Sequence, residues 1–252
     1  ARCDVTSHAL TLSTSGPADY VEGERSIRGY AEIARQYGFP LTLFVHPEVA
    51  AAHVEPMHDL HRQGACLGLH VHPYKLRSQA HQHDLGAYTA GEQRQIISEA
   101  VEDWERVMGF RPQYFRGGVF SANDNTFQVL RELGFRGSSA SNPGRVLPEA
   151  YAVWAGAETY PHRAHLGFRQ VAGESDFVEI PVSVAYGRPT ASGERGEQGF
   201  EWPYIPAGKY DQAAVITDIL TRFAKERSPN NVIVTDTHND MDYTDAGHHA
   251  TR

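Results

Sequence analysis

Apolar residues recur at helical spacing in one stretch after another, and each stretch gives way to a glycine and then a short apolar run. In residues 25–37, Ile27, Tyr30, Ile33, Ala34 and Tyr37 share one helical face. Gly38 follows, and Leu41-Thr42-Leu43-Phe44-Val45 reads as a strand. Residues 55–63 repeat the pattern, stopping at Gly64 before Cys66-Leu67-Gly68-Leu69. Thr89-Ala90-Gly91-Glu92 is a capping box that opens a long helix to Met108, with Gly109 after it. Asn123 or Asp124 caps a further helix carrying Phe127, Val129, Leu130 and Leu133 ahead of Gly134. Residues 177–184 read as a strand, 211–225 as a helix and 231–235 as a last strand. Strands alternating with helices in this rhythm predict a parallel sheet with crossover helices. The rhythm fails in residues 141–175 and 187–209, and long irregular segments of this kind are usually functional loops beside a site.

With 252 residues, 40% hydrophobic and 21% charged, the chain is long enough for one domain with a sizeable core, and residues 1–252 are read as one unit. The net charge of −8 argues against nucleic-acid binding, which usually needs a basic face. No run of about 18 apolar residues is present to span a membrane. Two cysteines, Cys3 and Cys66, leave a single disulfide open without making a stapled fold. The sequence starts at Ala1 without a methionine or a signal-type apolar segment, which reads as a trimmed or processed terminus and leaves the compartment open. Oligomeric state is equally open.

The sharpest chemical feature is Gly68-Leu69-His70-Val71-His72-Pro73-Tyr74. Histidines at i and i+2 on a strand face the same way, roughly 6.6 Å apart along it. Two neutral imidazoles so placed suit zinc or a neighbouring transition metal. A strand end before a proline and a loop is also where α/β barrels hold ligands. His46, at the end of Leu43-Phe44-Val45, is a further strand-end histidine able to face the same mouth. His81 and His83 repeat the spacing in a polar loop and read as solvated, and His248 and His249 read as tail.

These residues, followed by Arg111-Pro112-Gln113-Tyr114-Phe115-Arg116-Gly117-Gly118, Glu179-Ile180-Pro181-Val182 and Val234-Thr235-Asp236-Thr237-His238, resemble the polysaccharide deacetylases of carbohydrate esterase family 4. The resemblance runs over roughly residues 25–240. It is to a divergent branch with a Gly-Leu-His-x-His-Pro motif. It implies an irregular (β/α) barrel, one divalent metal (usually zinc), and hydrolysis of acetyl or similar acyl groups from a sugar, a polysaccharide or another acylated small molecule. By the same resemblance His70 and His72 would be metal ligands and His238 the general acid. Asp236 would hold His238, and Arg116 would orient the base or bind substrate. Tyr74, Trp154 and Trp202, with Tyr160, Tyr204 and Tyr210, are aromatic residues suited to stacking on sugar rings.

The first strand departs from the family pattern, which has an aspartate pair there. Ala9-Leu10-Thr11-Leu12-Ser13-Thr14-Ser15-Gly16-Pro17 carries hydroxyls instead, and hydroxyls are poor bases and weak zinc ligands. A second alignment uses Arg2-Cys3-Asp4-Val5-Thr6 and makes Asp4 both base and third ligand. Asp19, His8 or His46 are other candidates for that ligand. Two competing readings stay open. One is a catalytically altered or inactive deacetylase-like carbohydrate-binding domain. The other is an amidohydrolase-type C–N hydrolase, which normally carries its His-x-His pair on the first barrel strand.

Overall fold

The computed structural model describes residues 1–3, 16–190, 197–205, 209–227, 230–241 and 243. In chain order the elements are β1 (Arg2–Cys3), α1 (Tyr20–Gln36), β2 (Thr42–Val45), α2 (Pro47–Ala52), α3 (Val54–Arg62), β3 (Cys66–Val71), α4 (Ala90–Met108), β4 (Tyr114–Gly117), α5 (Thr126–Glu132), β5 (Gly137–Ser138), β6 (Val146–Leu147), β7 (Ala152–Val153), β8 (His162–Arg163), β9 (Val178–Glu179), β10 (Ala185–Pro189), β11 (Phe200–Glu201) and α6 (Gln212–Glu226). One sheet runs β1-β2-β3-β4-β5-β9-β8. All its pairs are parallel except β8 with β9. The α/β architecture with a parallel sheet is the one the sequence rhythm predicts.

Local chemistry explains most of the helix ends. Thr89 and Glu92 form the reciprocal capping box, and α4 ends at Gly109 with φ 73°, the left-handed turn that glycine adopts without strain. α1 begins five residues ahead of the helix predicted over residues 25–37, because Asp19 accepts a hydrogen bond from the Glu22 amide at 2.8 Å. That bond occupies one oxygen of Asp19, which had been a candidate metal ligand. Asp211 caps α6 through the Ala214 amide in the same way.

Two predicted strands are shorter than their apolar runs. Only Val178–Glu179 of residues 177–184 joins the sheet, and residues 231–235 form no ladder. The last run is tied instead by single bonds, Ser183 N–H donating to Val234 O at 3.2 Å and the Val234 N–H donating to Ser183 Oγ at 2.9 Å. Immediately after it, a parallel bridge joins His238 to Arg2 and carries the sheet on past β1. The irregular residues 141–175 hold the β6–β7 hairpin and β8. No disulfide joins Cys3 and Cys66.

A continuous core lies between the sheet and its helices, with Leu43, Leu69, Ile96, Trp104, Phe115 and Phe127 among its fully buried members. Among the described residues no helix is long and apolar enough to cross a membrane.

Candidate active site

Register builds the site at the C-terminal ends of the parallel strands. Val45 pairs with Leu69, His70 with Arg116, and Phe115 with Ser138. His46, His70, Arg116 and Ser139 therefore follow one another across β2, β3, β4 and the exit of β5. Side chains at one level of a parallel ladder leave the same face. All four residues are buried.

His70 and His72 lie with ring centroids 4.9 Å apart, edge to face. His70 Nδ1 sits 2.8 Å from the Arg116 carbonyl. A carbonyl can only accept, so Nδ1 carries the proton and the neutral ring keeps its lone pair on Nε2. His72 Nδ1 lies 3.0 Å from the Tyr74 hydroxyl. Tyr74, read as a substrate contact, therefore touches the pair itself and fixes the His72 ring.

The glycines after Arg116 have a steric cause. A methyl group on Gly118 would run into the His72 imidazole, and one on Gly117 would meet Ser121 O at 2.7 Å. The next two residues, Val119 (φ 47°) and Phe120 (φ 62°), occupy the left-handed region, which costs a side chain about 1–3 kcal/mol each. Neighbours hold this strained turn in place. Arg145 donates to Val119 O at 3.1 Å, and Trp154 Nε1 donates to Phe120 O at 2.8 Å.

Trp154 is the clear correction. Read as a stacking platform, it is 0% exposed, packed on Phe127 and bonded to the Phe120 carbonyl, and so has no face to offer a sugar.

Arg116 is the hub of a buried charge network. Its Nε donates to Ser139 O at 2.7 Å and its Nη1 to Asp236 Oδ1 at 2.8 Å. The Phe44 and Phe120 rings lie 4.7 and 5.4 Å from the guanidinium carbon. Burial pushes the guanidinium down to about 10, with Asp236 working against it. Arg2 takes the other Asp236 oxygen at 2.6 Å. Burial alone would raise the Asp236 carboxyl, but Arg2, Arg116 and His238 outweigh it and hold the group below the usual carboxylate range.

His238 takes a different orienting partner from the one expected. Its Nδ1 lies 2.9 Å from Tyr204 Oη, while the carboxylate of Asp236 is bonded to two arginines. Burial raises the Tyr204 phenol and keeps it neutral. Sequence reading saw Tyr204 only as a stacking aromatic, and nothing in residues 200–210 signals a bond to a residue 34 positions away.

His46 is fully buried with Nδ1 3.5 Å from the Glu48 carboxylate, and burial pushes that carboxyl up to about 7, Arg77 opposing. His81 and His83 lie in the loop before Tyr88, as expected. Asp4, His8, Ser13, Thr14, Ser15, His248 and His249 lie outside the described residues. Among the described residues no group of three His, Cys, Asp or Glu side chains converges as a metal cage. The two-imidazole half of a zinc site is nonetheless of the right chemistry, since the bond to Arg116 O leaves His70 Nε2 as the donor atom.

Residues 19–138 match the family model for polysaccharide deacetylase. Over that stretch the chain is similar to the polysaccharide deacetylases. Among solved structures, a Mycobacterium smegmatis protein assigned to the polysaccharide deacetylases superposes with a TM-score of 0.55 at 19% identity, covering 89% of this chain and 68% of that one. Puue allantoinase superposes with the same TM-score at 12% identity, covering 97% of this chain and 72% of that one. At such identities the two superpositions establish the polysaccharide deacetylase type of fold. No curated relative matches the chain.

Proposed function

We propose that this protein belongs to the polysaccharide deacetylases and is a metal-dependent deacetylase, which removes an acetyl or similar acyl group from a sugar or polysaccharide by attack of water. The observation that carries the reading is the His70–His72 pair at the end of β3, with its donor nitrogen set by the Arg116 carbonyl. His70, His72 and Asp4 are the residues that would hold the ion. When bound, a divalent ion such as zinc lowers the pKa of a water to about 7 and polarises the acyl carbonyl.

The chain's own groups account for the proton movements. Asp4, a carboxylate, is the base that takes the proton of the attacking water. Tyr204 holds His238 through Nδ1, and with that nitrogen engaged Nε2 is the atom proposed to protonate the leaving group. Arg116 acts by position. Its carbonyl sets His70, and its guanidinium fixes Asp236, two residues before His238.

The amidohydrolase reading has its histidine pair on the first barrel strand, and here β1 and β2 both precede the pair. The shared fold with an allantoinase keeps non-carbohydrate substrates worth assaying.

Purified and zinc-reloaded protein is expected to hold one equivalent of metal and to release acetate from acetylated sugars. Replacing both His70 and His72 with alanine should abolish turnover while sugar binding persists. Failure of the reloaded protein to retain metal would sink the enzymatic reading, and equal inactivity of both proteins would favour the binding-domain alternative.

A further inference from the structure

Beyond its bond to His238, Tyr204 takes part with Lys209, Trp202 and Tyr210 in a second feature. The ammonium of Lys209 sits over three rings at once, 4.7 Å from the centre of Trp202, 5.0 Å from Tyr204 and 5.3 Å from Tyr210. Trp202 packs against both tyrosines, with centroids 5.8 and 5.3 Å away. Three rings around one alkylammonium make an aromatic cage, the arrangement that recognises organic cations. Its occupant is a residue of the same protein, exposed as a whole though its ammonium is partly covered by the rings.

A second observation points to a ligand. Trp202 is only 7% exposed, and its buried Nε1–H has no acceptor among the described residues. A buried donor left without an acceptor costs about 1–3 kcal/mol. Lysine, which has no acceptor atom, satisfies the rings and not the indole. A ligand carrying an ammonium beside a hydroxyl oxygen would satisfy both. The cage also shares a wall with the acid, since Tyr204 is the residue that bonds His238 at 2.9 Å.

We propose that Trp202, Tyr204 and Tyr210 form a subsite for an amine-bearing sugar unit next to the acyl group removed, which Lys209 fills until the ligand displaces it. The proposal rests on the deacetylase reading for the position of the acyl group, and on the cage alone for amine recognition. Lys209 then acts as an internal competitor. Its removal raises the fraction of cages open to ligand and tightens the apparent affinity by the same factor.

Calorimetric titration of the full chain with the β-1,4-linked dimer of glucosamine, against the corresponding dimer of glucose, tests this. Both are used at a pH where the amine is protonated. The amine dimer should bind more tightly than the neutral one. Lys209→Gln should tighten the amine dimer about tenfold, the scale of one cation–π contact, and leave the neutral dimer unchanged. Adding Tyr210→Leu to that variant should remove the preference, with circular dichroism reporting an unchanged fold. Equal affinities for the two dimers, or weaker amine binding in Lys209→Gln, would overturn the proposal. An amine preference that responds to Lys209 in a protein with no deacetylase activity would support the cage and sink the deacetylase reading instead.

Discussion

Gly118 shows how one missing side chain positions a functional one. Its Cα faces the His72 imidazole so closely that any Cβ would overlap the ring. Gly118→Ala should therefore tilt His72 away from His70, while the backbone of β4 stays paired. Metal affinity is expected to fall about 10–100-fold, the range for losing a group that orients a ligand, with the melting temperature little changed. Zinc competition titration beside a thermal melt checks this, and unchanged affinity would refute it. Tyr74→Phe removes the hydroxyl 3.0 Å from His72 Nδ1 and should act in the same direction, more weakly. At this scale the histidine pair was legible, because a period of two on a strand end is visible in the chain itself. The reason for Gly118 was not, because it depends on the register of β3 against β4, which sets residue 118 beside residue 72.

Elements were legible in proportion to their length. α4, at 19 residues, has a capping box, an apolar stripe and a terminal glycine, and its boundaries match those read from the sequence. Thr89→Ala removes the cap and should cost about 1 kcal/mol, read as a lower urea midpoint with unchanged activity. Strands of two residues, such as β8 and β9, are too short to show alternation, so the turns and bridges around them were unreadable. Trp154 belongs to this class. In an irregular stretch no periodicity separates a buried indole from an exposed one, and the structure uses it as a strut under Val119 and Phe120. Trp154→Phe keeps the packing but leaves the Phe120 carbonyl without its donor, at an expected cost of about 1–3 kcal/mol. Because that turn carries Gly118 against His72, turnover should fall in this variant even though the indole is out of reach of any substrate. Loss of stability with wild-type turnover would show that the turn holds without its strut.

At the scale of the whole molecule, three charges draw the two ends of the chain to the middle. Arg2 and Asp236 are 234 positions apart, and Arg116 and Asp236 are 120 apart, yet all three meet in the interior. No pattern of polarity along the chain announces that the three meet, since the resemblance that singles out Arg116 and Asp236 pairs neither with Arg2. The network gives a pH dependence whose sign is fixed. Asp236 is held below the usual carboxylate range in the folded protein, so it binds fewer protons there than in the unfolded chain over the acidic range. Its contribution is fully present above the unfolded value, near pH 4, and is lost progressively as pH falls below that. Asp236→Asn leaves Arg2 and Arg116 buried without their carboxylate, which should cost about 3–5 kcal/mol at pH 7. It should also remove the matching part of the acid dependence. Urea unfolding free energies of both proteins at pH 7 and pH 3 are therefore expected to converge at the lower pH. A gap that stays constant between the two would mean that Asp236 is not the carboxylate whose ionisation holds the strand ends together.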